Sequence, residues 1–238
     1  MELRINTDHG VIAPYGMMIL LSFLAGTGGL FLLNIRRGIR KQTAFWQMLL
    51  GILLSLCGGM ALTFITSGGK IIGLSSLGGL AGMYAACALT AWFSRLPGYD
   101  IVLTQNCTLM LPLMYSIGKI GCFLGGCCGG IPYSGAFRTV YTGVHANPVP
   151  ALPVQLIESA VFLLIFAAGL YGFFRRRINT VPAVFLTSAA AKCALDFLRA
   201  SHQGQLLSVT QMLCIGLIAA GAGLLFRHHK KLQRKHTA

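Results

Sequence analysis

Long apolar runs, each near the ~20 residues that span a bilayer core, alternate along the chain with short polar or basic breaks. These runs predict seven helices, at about Ala13 to Leu33, Phe45 to Thr66, Ile71 to Phe93, Ile101 to Phe123, Val154 to Phe174, Pro182 to Leu198 and Leu206 to Phe226. The expected fold class is all-α: a polytopic membrane protein with seven transmembrane helices, forming one integral domain over residues 1–238. The stretch 131–152, "IPYSGAFRTVYTGVHANPVPAL", is rich in turn-forming residues and reads as an irregular cap on the outer face, with Arg138 and His145 as its notable polar groups. The opening "MELRINTDHG" carries Glu2 and Asp8 and lacks the basic, short-apolar, small-residue order of a cleaved leader, so the first run is expected to remain as a span.

Charge orients these spans. With the N-terminus outside, thirteen cations fall inside, in "IRRGIRK", at Arg95, in Arg175 to Arg177 and in the tail, against Arg4, Lys70 and Arg138 outside. The C-terminal segment 227–238, "RHHKKLQRKHTA", is expected to be a basic cytoplasmic tail resting on anionic headgroups. A composition of 55% hydrophobic and 10% charged residues excludes an ordinary soluble domain. The net charge of +14 does not point to nucleic acid, because the cations punctuate apolar blocks and are not gathered with aromatics on one face.

Five ionisable residues break this separation. Lys119, Glu158, Lys192, Asp196 and Arg199 fall within or at the ends of apolar runs, where a charge costs about 2.5–3.5 kcal/mol unless paired or wet. Lys192, Asp196 and Arg199 share a helical face and fit buried ion bridges; the excess of cations also fits a cavity for an anionic ligand such as a phospholipid phosphate. Arg199 offers a planar fork, Lys119 and Lys192 only point charges. Cysteines at 57, 87, 107, 122, 127, 128, 193 and 214 are mostly scattered through apolar runs and define no disulfide framework. Cys122, Cys127 and Cys128 lie close together in "GKIGCFLGGCCGG", residues 118–130, where glycines break the helix. A thiol there suits small-residue packing, a lipid-accepting nucleophile, a metal ligand or half of a disulfide. The spacing fits no zinc-finger pattern, and neither metal nor cofactor is expected.

Several short elements carry a resemblance. "PYGM" places Tyr15 and Gly16 at the first helix, and "LGGL" at Leu77 to Leu80 is similar to a His-Gly-Gly-Leu element. "GKIGCFLGGCCGG" resembles Gly-Arg-x-Gly-Asn-Phe-x-Asn-x-Glu-x-x-Gly through Gly118, Gly121, Phe123 and Gly130, with Lys119, Cys122, Gly125 and Cys127 at its polar positions. "LPVQLIE" keeps Pro153, Gln155, Leu156 and Glu158 of His-Pro-x-Gln-Leu-Tyr-Glu; "KCALDFLR", with Lys192, Asp196, Phe197 and Arg199, resembles Arg-Phe-x-x-Glu-Phe-x-Arg. These elements, in this order, resemble the bacterial prolipoprotein diacylglyceryl transferases.

The resemblance implies a transferase of the bacterial cytoplasmic (inner) membrane that moves diacylglyceryl from phosphatidylglycerol, or another anionic phospholipid, to the lipobox cysteine of a prolipoprotein. It assigns Tyr15, Lys119, Lys192 and Arg199 to the reaction, with Gly78, Gly79, Gly118, Gly121, Cys122, Gln155, Glu158 and Asp196 holding substrate. Leu77 stands where the family carries a histidine, so the base for the thiol is sought at Tyr15 or His145. Two alternatives stay open: a lipid- or lipoprotein-binding paralogue without turnover, and a thiol-redox or metal-handling protein centred on Cys122, Cys127 and Cys128.

Overall fold

A computed structural model describes residues 2–7, 12–71, 73–142, 147–177, 179–202 and 206–219. The chain is mostly helical: α1 (Ile12–Arg36), α2 (Lys41–Thr66), α3 (Ser76–Ser94), α4 (Tyr99–Leu124), α5 (Val154–Phe174), α6 (Thr180–Asp196) and a further apolar helix, α7 (Val209–Ala219). Helices α1 to α5 contain five stretches long and apolar enough to cross a membrane. Of the other two expected spans, α6 has the expected 17 residues, shifted two positions toward the N-terminus, and carries Lys192 and Asp196, and the described part of α7 is Val209–Ala219. The third run becomes helical late: a turn holds Gly68 and Gly69, both at positive φ, residues 70, 71 and 73–75 are not helical, and α3 begins at Ser76. Large apolar side chains face outward while polar ones share the interior with an apolar core. Leu24, Trp92 and Leu164 are exposed while Asn34, Asn106, Gln155 and Glu158 are wholly buried, as expected where the surroundings are hydrocarbon and the polar groups pair inside.

The all-α expectation is corrected by a small sheet. Strand β1 (Glu2–Asn6) pairs parallel with β2 (Arg138–Thr142), which pairs antiparallel with β3 (Asn147–Ala151). The stretch 131–152, expected to be irregular, thus contains two strands. "ELRIN" and "RTVYT" both alternate apolar and polar residues, but their pairing joins chain segments too far apart for local patterning to register. Arg138 fastens the sheet, donating from Nε and Nη2 to Glu2 Oε2 at 3.0 and 2.8 Å. Arg4 donates to Oε1 at 2.8 Å, and the two guanidiniums, Arg4 first, hold the Glu2 carboxyl below the usual carboxylate range.

The chain divides into two compact units, one of residues Ile19–Tyr115 and one of Met1–Met18 with Ser116–Ala238. In the first, α2 and α3 approach so closely that a Cβ on Gly78 or Gly82 would collide with backbone of Gly58 or Leu54. Glycine there is a packing requirement. A polar ladder also crosses this unit: Arg37 donates to Asn106 (3.1 Å), Asn106 to Asn34 (2.8 Å), Asn34 to Gln47, and Gln47 to the Cys87 sulfur (3.0 Å). Each amide satisfies the next, which removes most of the cost of burying them.

Gly82→Ala is therefore expected to destabilise the protein by about 1–3 kcal/mol, because the methyl group meets Leu54 carbonyl and Ser55 N (2.7 Å), which are rigid backbone. Gly28→Ala, with nothing within 4 Å of the added atom, is expected to be neutral or stabilising through helix propensity. Thermal unfolding of both variants in detergent reads the contrast; equal midpoints would show that α2 and α3 do not need the close approach.

Candidate functional site

The second unit gathers the charged residues. Lys119 sits near the end of α4, Glu158 in the first turns of α5, Lys192 and Asp196 in the last turns of α6, and Arg199 in the turn that follows. The register of α4 against α5 is fixed one turn away, where Ser116 Oγ donates to Ser159 O at 2.9 Å. That contact brings Lys119 opposite Glu158.

Three cations converge on the Glu158 carboxylate. Lys119 Nζ lies 2.8 Å from Oε2, Lys192 Nζ 3.2 Å from Oε1, and Arg199 Nη2 2.8 Å from each oxygen. Asp196 completes the cluster, 4.0 Å from Lys192 Nζ and 3.7 Å from Arg199 Nε. Glu158 is wholly buried, and Lys119, Lys192 and Asp196 nearly so. Charges at that depth persist because each has partners of opposite sign. The named groups are three cations and two carboxylates, and an excess of cations over carboxylates suits an anionic ligand.

Asp196 has a partner the sequence reading missed. The Ser208 hydroxyl donates to its Oδ2, while Ser208 and Gln211 form a reciprocal cap at the start of α7: Gln211 N donates to Ser208 Oγ at 3.1 Å and Ser208 N to Gln211 Oε1 at 2.9 Å. The signal was present as "SVTQ", a Ser-x-x-Gln capping box. Through it, the start of α7 is tied to the end of α6.

Beyond α4 the chain folds back as a loop. Gly126 and Cys128 both have positive φ (71° and 58°), and Cys127 N donates to Cys122 O at 3.1 Å. Gln155, one turn before Glu158 on α5, donates from Nε2 to Cys127 O at 2.7 Å and to the Tyr141 hydroxyl at 3.3 Å. Gly130 and Arg199 form an isolated antiparallel bridge, with Ala200 N donating to Gly129 O at 3.1 Å. The loop is thus held by the same α5 and post-α6 segments that carry Glu158 and Arg199. It brings the sulfurs of Cys122, Cys127 and Cys128 within 4.8 Å of one another. The Cys128 thiol is held well below the ordinary thiol range, first by thiol hydrogen bonds from Cys122 and Cys127, then by the charges of Lys119 and Arg199. Sharing within the same trio pushes Cys127 up.

The other expected site residues are distributed as follows. Tyr15, in the first turn of α1, lies against Gly121, whose absent Cβ leaves room for Tyr15 Cδ2 at 3.4 Å and Met18 Cβ at 2.8 Å. Gly118 is one turn earlier on α4. Gly78 and Gly79 belong to the unit of residues 19–115, where α2 accounts for Gly78 and Ser55 Oγ lies 3.0 Å from a Cβ built on Gly79. His145 and the tail 227–238 lie outside the described residues.

The sequence also matches known proteins. A family profile described as prolipoprotein diacylglyceryl transferase matches residues 5–227. The chain is 26% identical, over 95% of its own length and 94% of the relative's, to phosphatidylglycerol–prolipoprotein diacylglyceryl transferase 2 of Clostridium perfringens. It is also 26% identical, over 88% and 90% respectively, to the phosphatidylglycerol–prolipoprotein diacylglyceryl transferase of Clostridium tetani. A third relative of that name, from Dehalococcoides mccartyi, is 27% identical over 51% of this chain. Since the profile runs across helices α1 to α6 and takes in every residue of the ion cluster, the chain belongs to the prolipoprotein diacylglyceryl transferase family.

Proposed function

We propose that this chain transfers diacylglyceryl from phosphatidylglycerol to the thiol of a prolipoprotein lipobox cysteine. The observation that carries this reading is the convergence of Lys119, Lys192 and Arg199 on Glu158 within a buried cluster richer in cations than carboxylates. Such a cluster suits the single negative charge of a phosphodiester. Arg199 supplies the fork, the two lysines supply charge, and Glu158 and Asp196 hold the three cations in place. In the reaction the acceptor sulfur bonds to the glyceryl carbon of the lipid and the bond from that carbon to the phosphate oxygen breaks. Glycerol phosphate leaves with the electron pair, and the thiol proton passes to a base. The cations stabilise the charge that grows on the departing phosphate oxygen. Tyr15 stands beside the loop that carries the thiols, with Gly118, Gly121, Gln155 and Cys122 shaping the contact to substrate. A substrate role for Gly78 and Gly79 rests on the family resemblance of "LGGL" alone, since packing within their own unit already requires Gly78.

The proposed topology has seven spans in the bacterial cytoplasmic membrane, the N-terminus and the 131–152 segment outside and the basic tail inside. The bias of Lys and Arg between alternate breaks supports it, and the polarity of α6 is explained by its share of the ion cluster. A reconstituted assay tests the activity. The purified chain, in nanodiscs containing phosphatidylglycerol, is expected to add diacylglyceryl to a cysteine-containing lipobox peptide, read as a mass increase. Nanodiscs of phosphatidylethanolamine alone are expected to give none. No mass increase with phosphatidylglycerol, beside an active relative, would overturn the reading.

A further inference from the structure

We infer that Cys122, Cys127 and Cys128 form a three-sulfur site for a thiophilic divalent cation of the zinc type, whose open fourth position takes the acceptor thiol. The role given to that fourth position rests on the transfer reading; the metal site does not.

Geometry argues for the site. A tetrahedral zinc centre with Zn–S near 2.3 Å places its sulfurs about 3.8 Å apart, and the three here already lie within 4.8 Å of one another. Small side-chain rotations close the difference. The sulfurs come from a buried helix end and a loop pinned by Gln155 to Cys127 O, by Ala200 to Gly129 O and by Ile131 to Leu198 O, so little ordering remains to be done on binding. Cys128 adds a second argument. It adopts a left-handed conformation, φ 58°, in a loop with glycine at 125, 126, 129 and 130. A non-glycine residue is disfavoured in that conformation, which delivers the Cys128 sulfur to the other two.

Charge and access fit as well. Three thiolates with a divalent cation carry one negative charge, and Lys119, on the same helix as Cys122 and one turn before it, carries a positive one. Cys122 is buried, Cys127 half-buried and Cys128 exposed, which leaves one side open for a fourth ligand. The chemistry that follows addresses a gap in the ion cluster, where Glu158 is engaged by three cations and is poorly suited to accept a proton. An acceptor thiol that ligates the cation releases its proton to solvent. Its sulfur then attacks the glyceryl carbon of the lipid, and the carbon–oxygen bond to phosphate breaks with the electron pair leaving on the phosphate.

The test uses the full chain, reduced and stripped of metal, in nanodiscs. Titration with Zn²⁺ against a chromophoric indicator is expected to show one site. Cys127→Ser and Cys122→Ser are each expected to weaken it by more than about 100-fold, beyond the 10- to 100-fold typical of losing an outer partner; Cys57→Ser and Cys193→Ser should leave it intact. Should a cysteine variant fail to fold, wild-type alkylation decides: Zn²⁺ should protect Cys122, Cys127 and Cys128, and leave Cys57 reactive. With Co²⁺ as probe, sulfur-to-cobalt charge-transfer bands are expected, shifting when a cysteine lipobox peptide is added and not with its serine counterpart. No stoichiometric uptake, uptake independent of these three cysteines, or a Co²⁺ spectrum indifferent to the thiol peptide would each overturn the inference. Full-rate transfer by the metal-free chain would also overturn it while upholding the transfer reading; metal and thiol binding without transfer from phosphatidylglycerol would uphold the site and overturn that reading.

Discussion

Glu158→Gln is expected to destabilise the protein by about 3–5 kcal/mol, the usual cost of removing one partner from a buried charge cluster, and to reduce transfer below detection. Glutamine preserves the volume, but its amide can accept from only one side and presents N–H donors to the other. Lys119 at 2.8 Å, Lys192 at 3.2 Å and the Arg199 fork at 2.8 Å would then face a neutral group. Asp196, 4.0 Å from Lys192 and 3.7 Å from Arg199, is too far to replace the lost hydrogen bonds. The sign of the next experiment separates electrostatics from packing. Lys192→Met removes a cation and brings the named charges to balance, so it should cost less stability than Glu158→Gln even though it also breaks contacts to Glu158. Thermal unfolding in detergent measures both. Equal losses would mean that the contacts matter and the charge balance does not, and Glu158→Asp, which keeps the charge on a shorter stem, should recover part of the deficit.

That cluster was legible from sequence because a charge inside an apolar run has few ways to survive, so Lys119, Glu158, Lys192, Asp196 and Arg199 had to find one another or a ligand. The long helices were legible for a related reason: an uninterrupted apolar run of about 20 residues matches the thickness of a bilayer core, and as a helix it satisfies its own backbone there. What escaped notice has a common physical cause, which is dependence on partners distant in the chain. β1 is five residues whose alternation is unremarkable until residues 138–142 are set beside it. The amides of Asn34, Gln47 and Asn106 carry no charge, so nothing in the apolar pattern marks them as a ladder. Cys122, Cys127 and Cys128 were legible as a group, but the approach of their sulfurs was not, because it depends on the left-handed turn at Cys128 and backbone conformation is not written in spacing. Ser208 differs from these: its capping box was readable, but not its reach to Asp196.

Arg199→Lys is expected to lower kcat/KM for phosphatidylglycerol about 100-fold, the scale of losing one preorganised donor to a developing anion, while stability falls by no more than about 1.5–3 kcal/mol for the lost charge-assisted hydrogen bonds. The disproportion is what distinguishes a substrate contact from a structural one. The backbone at position 199 is fixed by its bridge to Gly130, so a lysine would leave from the same place and keep the charge. It cannot contact both Glu158 oxygens in the plane that Arg199 uses, with Nη2 at 2.8 Å from each and Nε at 3.2 Å from Oε1, nor present a fork to two phosphate oxygens. If Arg199 serves only to neutralise Glu158, charge suffices and transfer should survive in the lysine variant in proportion to the protein that remains folded. If it grips the phosphate, well-folded enzyme should turn over slowly at every lipid concentration. Measuring transfer against the mole fraction of phosphatidylglycerol, alongside the unfolding midpoint, decides between the two. The same variant keeps a positive charge near Cys128, so its metal affinity should change little, and any loss of transfer can then be assigned to the phosphate side of the reaction and not to the thiol side.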